Sequence, residues 1–314
     1  MNGEVATTFE CFGGRCAVRV SDPDRELATE AVRDARRRLL DAHLTLSRFD
    51  SASELSRLNR DRRGEVPASP LMLRVVAAAL EAGLRSGGLV DVTLVDAIEA
   101  AGYARSRAFA DVPLGMTARP RPRRHAAPSP AARWCEIAVH DRAGTVSRPP
   151  GLRIDLGGIA KGVMADVVGE RLARFPAFAV DCCGDLRLGG AEARTRSILV
   201  DDPAGGGPLH ELRISEGAVA TSGITRRSWV DDQGRAAHQI LDPASGLPAY
   251  TGVVQATAVA PTGLLAETLA KSALLVGPGR AESQLPFGGV IVTEDGEVRV
   301  FEGLALLAPS GLVA

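Results

Sequence analysis

Lysine is nearly missing from this chain. Of its 37 basic residues only Lys161 and Lys271 are lysines, and all the others are arginine. Aromatic residues are scarce too, at 4% of 314 positions. No run approaches the roughly 18–20 consecutive apolar residues of a membrane-spanning helix. The opening Met1-Asn2-Gly3-Glu4 lacks the basic and apolar pattern of an export leader, so a cytoplasmic location is expected. A formal net charge of −1 supplies no basic footprint, which argues against nucleic acid or an anionic membrane as partner. Five cysteines are an odd number, none forms a CxxC pair with zinc spacing, and the adjacent Cys182 and Cys183 do not easily bridge. They read as reduced, part-buried side chains.

What is present suffices for a sizeable core: 45% of residues are hydrophobic, far too many for a disordered chain. Residues 9–20 read as a strand broken by a Gly-Gly turn. From Arg25 to Leu46 the residues Leu27, Ala31, Ala35, Leu39 and Ala42 recur at helical spacing. Ser53 reads as an N-cap before a short helix, and a second long helix runs from Pro70 to about Ser86, closed by Gly87-Gly88. Residues 113–133 carry five Pro and five Arg with no acidic residue, and read as a mobile loop within a single domain spanning 1–314. Beyond Ile137, strand-like segments dominate, interrupted by helices at about 160–175 and 263–275. A helix-rich first third and a strand-rich remainder predict an α+β fold, not a doubly wound sheet.

Three segments invite chemistry. DLGGIAKG (155–162) places Lys161 in the first turn of a helix, where an ammonium opposes the helix dipole. Helix N-termini attract anions, and a Gly pair lets a phosphate approach, although the spacing is neither a P-loop nor GxGxxG. AETLAK (266–271) sets Glu267 and Lys271 at i and i+4 on an otherwise apolar helix, which suits a pocket wall better than a surface pair. The third is AHQILDPASGLPA (237–249), where His238 precedes a double turn; of five histidines it is the one considered functional.

In order along the chain, SRFDSASELSRLN, GLVDVT, IDLGGIAKGVMAD, VDCCGDLRLGG, ATSG, HQILDPASGLP and AETLAKSALLVG resemble the ApbE family of FAD:protein FMN transferases. The resemblance spans Phe9 to Gly277. It implies two intermingled α+β subdomains with mixed or antiparallel sheets, T-fold-like, and FAD in the cleft between them. The implied activity moves FMN from FAD through a phosphoester to a Ser or Thr hydroxyl of an acceptor flavoprotein, releasing AMP. Hydrolysis of FAD to FMN and AMP, or flavin binding without catalysis, stays open. Carried over by position, Phe12, Phe49, Leu89, Val90, Asp91, Asp155, Lys161, Ser222 and Ile240 are expected to contact FAD. Lys271, Glu267 and His238 are the expected catalytic groups.

The resemblance also implies Mg²⁺, with the Gly158 carbonyl and Glu267 as ligands. Yet Lys271 stands where relatives carry an oxygen ligand, and an ammonium repels a metal ion. Either Lys271 supplies its own charge beside the pyrophosphate, or catalysis is lost and FAD binding remains.

Overall fold

The computed structural model describes residues 3–105, 122–231 and 233–303. In chain order the first part comprises β1 (Glu4–Cys11), β2 (Gly14–Ser21), α1 (Arg25–Leu46), α2 (Glu54–Arg60), β3 (Glu65–Pro67), α3 (Pro70–Arg85) and α4 (Val95–Ala100). The middle holds β4 (Ala138–His140), β5 (Thr145–Ser147), α5 (Ala160–Leu172), β6 (Ala177–Cys182), β7 (Asp185–Gly189), β8 (Arg196–Asp201) and β9 (Pro208–Ile214). The last part is β10 (Gly217–Gly223), β11 (Ser228–Val230), β12 (Ala236–His238), β13 (Val253–Ala260), α6 (Gly263–Val276), β14 (Gly289–Thr293) and β15 (Val298–Phe301).

Eight strands form one sheet in the order β1-β2-β6-β7-β10-β13-β14-β15, every pair antiparallel. The α+β expectation therefore holds, with antiparallel rather than mixed pairing in the main sheet. One core gathers α1, α3 and α5 against β2 and β6, and a second gathers α6 against β13 and β14. The β8–β9 hairpin covers the opposite face, where Ile198, Leu212 and Ile214 meet Leu188, Val219 and Val259. Covered on both faces, β13 is almost wholly buried instead of alternating.

Local chemistry explains the helix starts. The Asp24 side chain accepts the Glu26 and Leu27 amides at 2.9 and 3.1 Å, capping α1. Ser53 caps α2 through the Ser56 amide at 2.9 Å, and Ser69 caps α3 ahead of Pro70. The buried stripe of α1 is Ala28, Val32, Ala35, Leu39, Ala42 and Leu46, so its first half is shifted by one residue from the predicted one. Leu27, expected inside, is 39% exposed.

The Pro/Arg-rich stretch falls in two parts. Residues 113–121 of the expected loop lie outside the described residues. Residues 122–133 are fastened to the body. The Arg124 amide donates to the Tyr250 carbonyl at 2.7 Å, the Ala126 amide to Leu275 at 3.0 Å, and Arg123 pairs with Glu294. No helix among the described residues is long and apolar enough to cross a membrane.

The helices α5 and α6 lie side by side on one face of the sheet, α5 over β6 and β7, α6 over β10 and β13. They meet at two glycines. A Cβ on Gly162 would stand 2.4 Å from the Gly263 carbonyl oxygen, and a Cβ on Gly263 as close to the Gly162 oxygen. That contact sets how the side chains of both helices face one another.

Candidate active site

Each charged group at the α5 N-terminus is held by a different element. Asp155, just before the Gly157-Gly158 turn, accepts the Gly157 amide at 2.8 Å and Arg48 Nε at 2.9 Å. Lys161 is the second residue of α5, and its Nζ donates to Asp185 Oδ2 at the start of β7. The same Nζ lies 3.5 Å from Glu267 Oε1. The other Glu267 oxygen accepts the Gly162 amide at 2.9 Å. One turn further along α6, Lys271 Nζ donates to the Gly158 carbonyl.

The predicted anion site at the α5 N-terminus thus already holds a carboxylate from the chain itself. Glu267 answers both the helix dipole and the awkwardly placed Lys161. Two ammonium groups and two carboxylates alternate across a contact between two helices and a strand.

Burial governs the electrostatics. It weighs against the Lys161 ammonium, but Asp185 and Glu267 outweigh it and hold the group above the ordinary lysine range. Glu267 is pushed up to about 7, first by burial and then by Asp185, against the pull of Lys161 and Lys271. Burial and Lys161 lower Lys271, while Glu267, Asp185 and Asp155 resist.

Two cavities open on this cluster. A narrow cleft of about 90 Å³ is walled by Leu89, Val90, Asp91, Asp155, Gly158, Ile240 and Lys271. A wider groove of about 400 Å³ is lined by Lys161, Thr221, Arg227 and the β8 strand. Gln239 borders both. Asp91 Oδ2 and Gln239 Oε1 are buried at these walls and make no hydrogen bond to the described residues. Buried acceptors of this kind suit a ligand that brings donors.

Of the residues singled out in the sequence, Leu89, Val90, Asp91, Asp155, Gly158, Lys161, Ile240, Glu267 and Lys271 therefore gather at the cluster and its clefts. Four do not join them directly. Phe12 sits in the β1–β2 turn with its ring edge-on to His43 at 5.6 Å, and its carbonyl accepts from Arg227 at 3.2 Å. Phe49 is 40% exposed and stacks edge-on against Tyr103 at 5.3 Å, under the Arg48 guanidinium. Ser222 shares the sheet face of Ala218 and Ala220, beneath α6, whereas its neighbour Thr221 faces the groove.

His238 ends β12. It is fully buried, its Nδ1 accepts the Ile240 amide at 3.3 Å, and its ring lies 4.9 Å from that of Tyr250. It lines neither cavity.

Sequence reasoning gave no role to Asp185, Arg48, Thr221 or Gln239. Asp185 is 1% exposed and receives both Lys161 and, at 3.4 Å, the Thr221 amide. Arg48 bridges Asp155 and Glu99 and donates to the Tyr103 carbonyl at 3.0 Å. The only signals for Asp185 and Arg48 were their places in the CCGD and SRFD segments, since the partners of Arg48 lie 51 and 107 residues away.

A magnesium ion does not fit these residues. The Gly158 carbonyl is taken by an ammonium, and both Glu267 oxygens face donors. Among the described residues no group of three or more His, Cys, Asp or Glu side chains could hold a metal ion.

Comparison with known proteins bears on the fold and the family. The FAD:protein FMN transferase of Haemophilus influenzae is 26% identical over 261 residues, covering 77% of this chain and 71% of its own. That of Vibrio cholerae is 28% identical over 264 residues, covering 80% and 76%. Among solved structures, the ApbE protein of Thermotoga maritima superposes with a TM-score of 0.78 at 23% identity, covering 96% of this chain and 97% of that one. The flavin transferase ApbE of Vibrio cholerae gives 0.71 at 22% identity, covering 96% and 98%. The sequence profile described as the ApbE family matches residues 12–286, which include every residue of the charged cluster and its clefts, and the chain belongs to that family.

Proposed function

We propose that this protein transfers the FMN part of FAD to a Ser or Thr hydroxyl of an acceptor flavoprotein, with AMP as the leaving group. The carrying observation is that the Lys161 and Lys271 ammonium groups line two neighbouring clefts that share Gln239 as a wall. Relatives that bear the name FAD:protein FMN transferase support the reading.

Leu89, Val90 and Ile240 supply an apolar wall for a flat ring, and Asp91 Oδ2 and Gln239 Oε1 accept hydrogen bonds at its polar edge. The pyrophosphate lies at the two ammonium groups. The acceptor hydroxyl oxygen attacks the FMN-side phosphorus, the new P–O bond forms, and the bridging P–O bond breaks with its electron pair going to AMP. Charge that grows on the phosphoryl oxygens is met by cations already in place, which is where most of the catalysis of phosphoryl transfer resides. The acceptor proton passes to the phosphate of the departing AMP, while Glu267, enclosed by the Gly162 amide and Lys161 Nζ and lining neither cleft, holds Lys161 in place. His238, buried away from both clefts, shapes the 238–240 turn instead of carrying a proton.

Incubation of the protein with FAD, with and without a candidate acceptor, tests this. AMP released in step with an FMN-sized mass gain on the acceptor is the expected result. AMP and free FMN without an acceptor would make the protein a pyrophosphatase, and FAD bound but intact in every tube would make it a flavin-binding protein.

A further inference from the structure

We propose that the Lys271 ammonium is a built-in replacement for a divalent cation, so that this site works on its pyrophosphate substrate without metal. The inference rests on the reading of the site as a flavin transferase and deepens it. Three observations carry it. The first is the contact itself: Lys271 Nζ donates to the Gly158 carbonyl, and even a Cβ at Gly158 would lie only 3.1 Å from that nitrogen. A magnesium ion demands oxygen ligands at about 2.0–2.1 Å in near-octahedral array, and the ammonium fills the space beside this oxygen.

The second is the company that Glu267 keeps. It lies one helical turn before Lys271 on α6, but its oxygens are engaged by the Gly162 amide and Lys161 Nζ, not left open for a metal. The third is charge. Lys161 and Lys271 together carry the two positive charges of one divalent ion, and they reach the site from different helices. An ammonium is a compact point charge with three donors, able to hold a backbone carbonyl and still present protons to phosphate oxygens. An arginine fork would not fill the same space, which accounts for lysine at this position in a chain that otherwise uses arginine.

The test is metal binding, read apart from transfer. Mn²⁺ is titrated into the purified protein and the free ion is followed by electron paramagnetic resonance. The wild type is expected to show no stoichiometric Mn²⁺ site. Lys271→Thr, and Lys271→Thr combined with Glu267→Asp, remove the competing charge and return oxygen ligands; Mn²⁺ affinity is expected to rise by on the order of 100-fold. Lys271→Met, which keeps bulk without charge, is the second variant: it is expected to weaken FAD binding and gain no metal. Circular dichroism confirms that each variant is folded. FAD affinity of the wild type, measured by fluorescence, is expected to be the same in Mg²⁺ and in chelator. One Mn²⁺ bound by the wild type with unchanged affinity in the threonine variants would overturn the proposal, as would chelator-sensitive FAD binding. Neither readout depends on FMN transfer, so a failed transferase reading and a failed cation reading remain distinguishable.

Discussion

Replacing Gly162 with alanine isolates the contact that spaces the site, because two effects of the change have opposite signs. In a helix, alanine is favoured over glycine by about 0.8–1 kcal/mol. Against this, the new methyl carbon would sit 2.4 Å from the Gly263 carbonyl oxygen, whereas ordinary contact begins at 3.4 Å, so α5 and α6 must part by 1.0 Å. The obstructing atoms are backbone, which cannot swing aside, and overpacking of this kind costs about 1–3 kcal/mol. Taking the upper end, the net loss is about 2 kcal/mol. At roughly 2 °C per kcal/mol for a chain of this size, the melting temperature falls by about 4 °C. The shift also separates Lys161 from Glu267 and Lys271, and misplacement by about 1 Å can cost on the order of 100-fold in rate. Thermal denaturation followed by circular dichroism is the assay. A variant that melts at or above the wild-type temperature would show that propensity alone operates, and would refute the spacing argument.

Glu267→Gln tests the electrostatics. Because burial raises the folded pKa of Glu267 from 4.5 to about 7, the folded state binds the extra proton in that window. Its contribution is therefore fully present below pH 4.5 and lost as pH rises through 7. The glutamine variant should show a flatter stability profile between these values; a parallel profile contradicts the shift. Arg48→Met leaves the Asp155 and Glu99 carboxylates without their bridge, and a loss of about 3 kcal/mol is expected in urea unfolding. A loss below about 1 kcal/mol would mean that solvent already screens them. Asp24→Ala removes the α1 cap at a cost of about 1 kcal/mol, seen first as faster hydrogen exchange at the Glu26 and Leu27 amides. Equal exchange in both proteins would remove the cap from the account.

The local parts of this fold were legible in the sequence. Ser53 announces the start of α2 because a cap needs only its own next three residues. The stripe of α1 was placed one residue off at its start because Leu27 outranks Ala28 in hydrophobicity, while the fold buries the alanine to bring the helix close to β1 and β2. Residues 152–156 lie in the stretch expected to be dominated by strands but form none: the Ile154 amide donates to Asn59 and the Asp155 amide to Val92, across the fold and outside any ladder. At the site, Lys161 and Lys271 stood out through rarity and Glu267 through helical spacing. Asp185 and Arg48 did not, since their meaning comes from partners brought close only by packing.

The strand order of the main sheet rises monotonically with the chain from β1 to β15, and this bears on how the protein is made. No strand has to slip between two that are already paired, so the sheet can be extended along one edge as synthesis proceeds. Lys161 and Asp185 come together early in that growth, once β7 has docked. Their partners Glu267 and Lys271 arrive only with α6, the last α-helix among the described residues. Until α6 docks, Lys161 has Asp185 alone as its acid, and the Gly158 carbonyl lacks its Lys271 donor. The charged cluster is therefore closed late, and its completion reports that α6 has docked on β10 and β13.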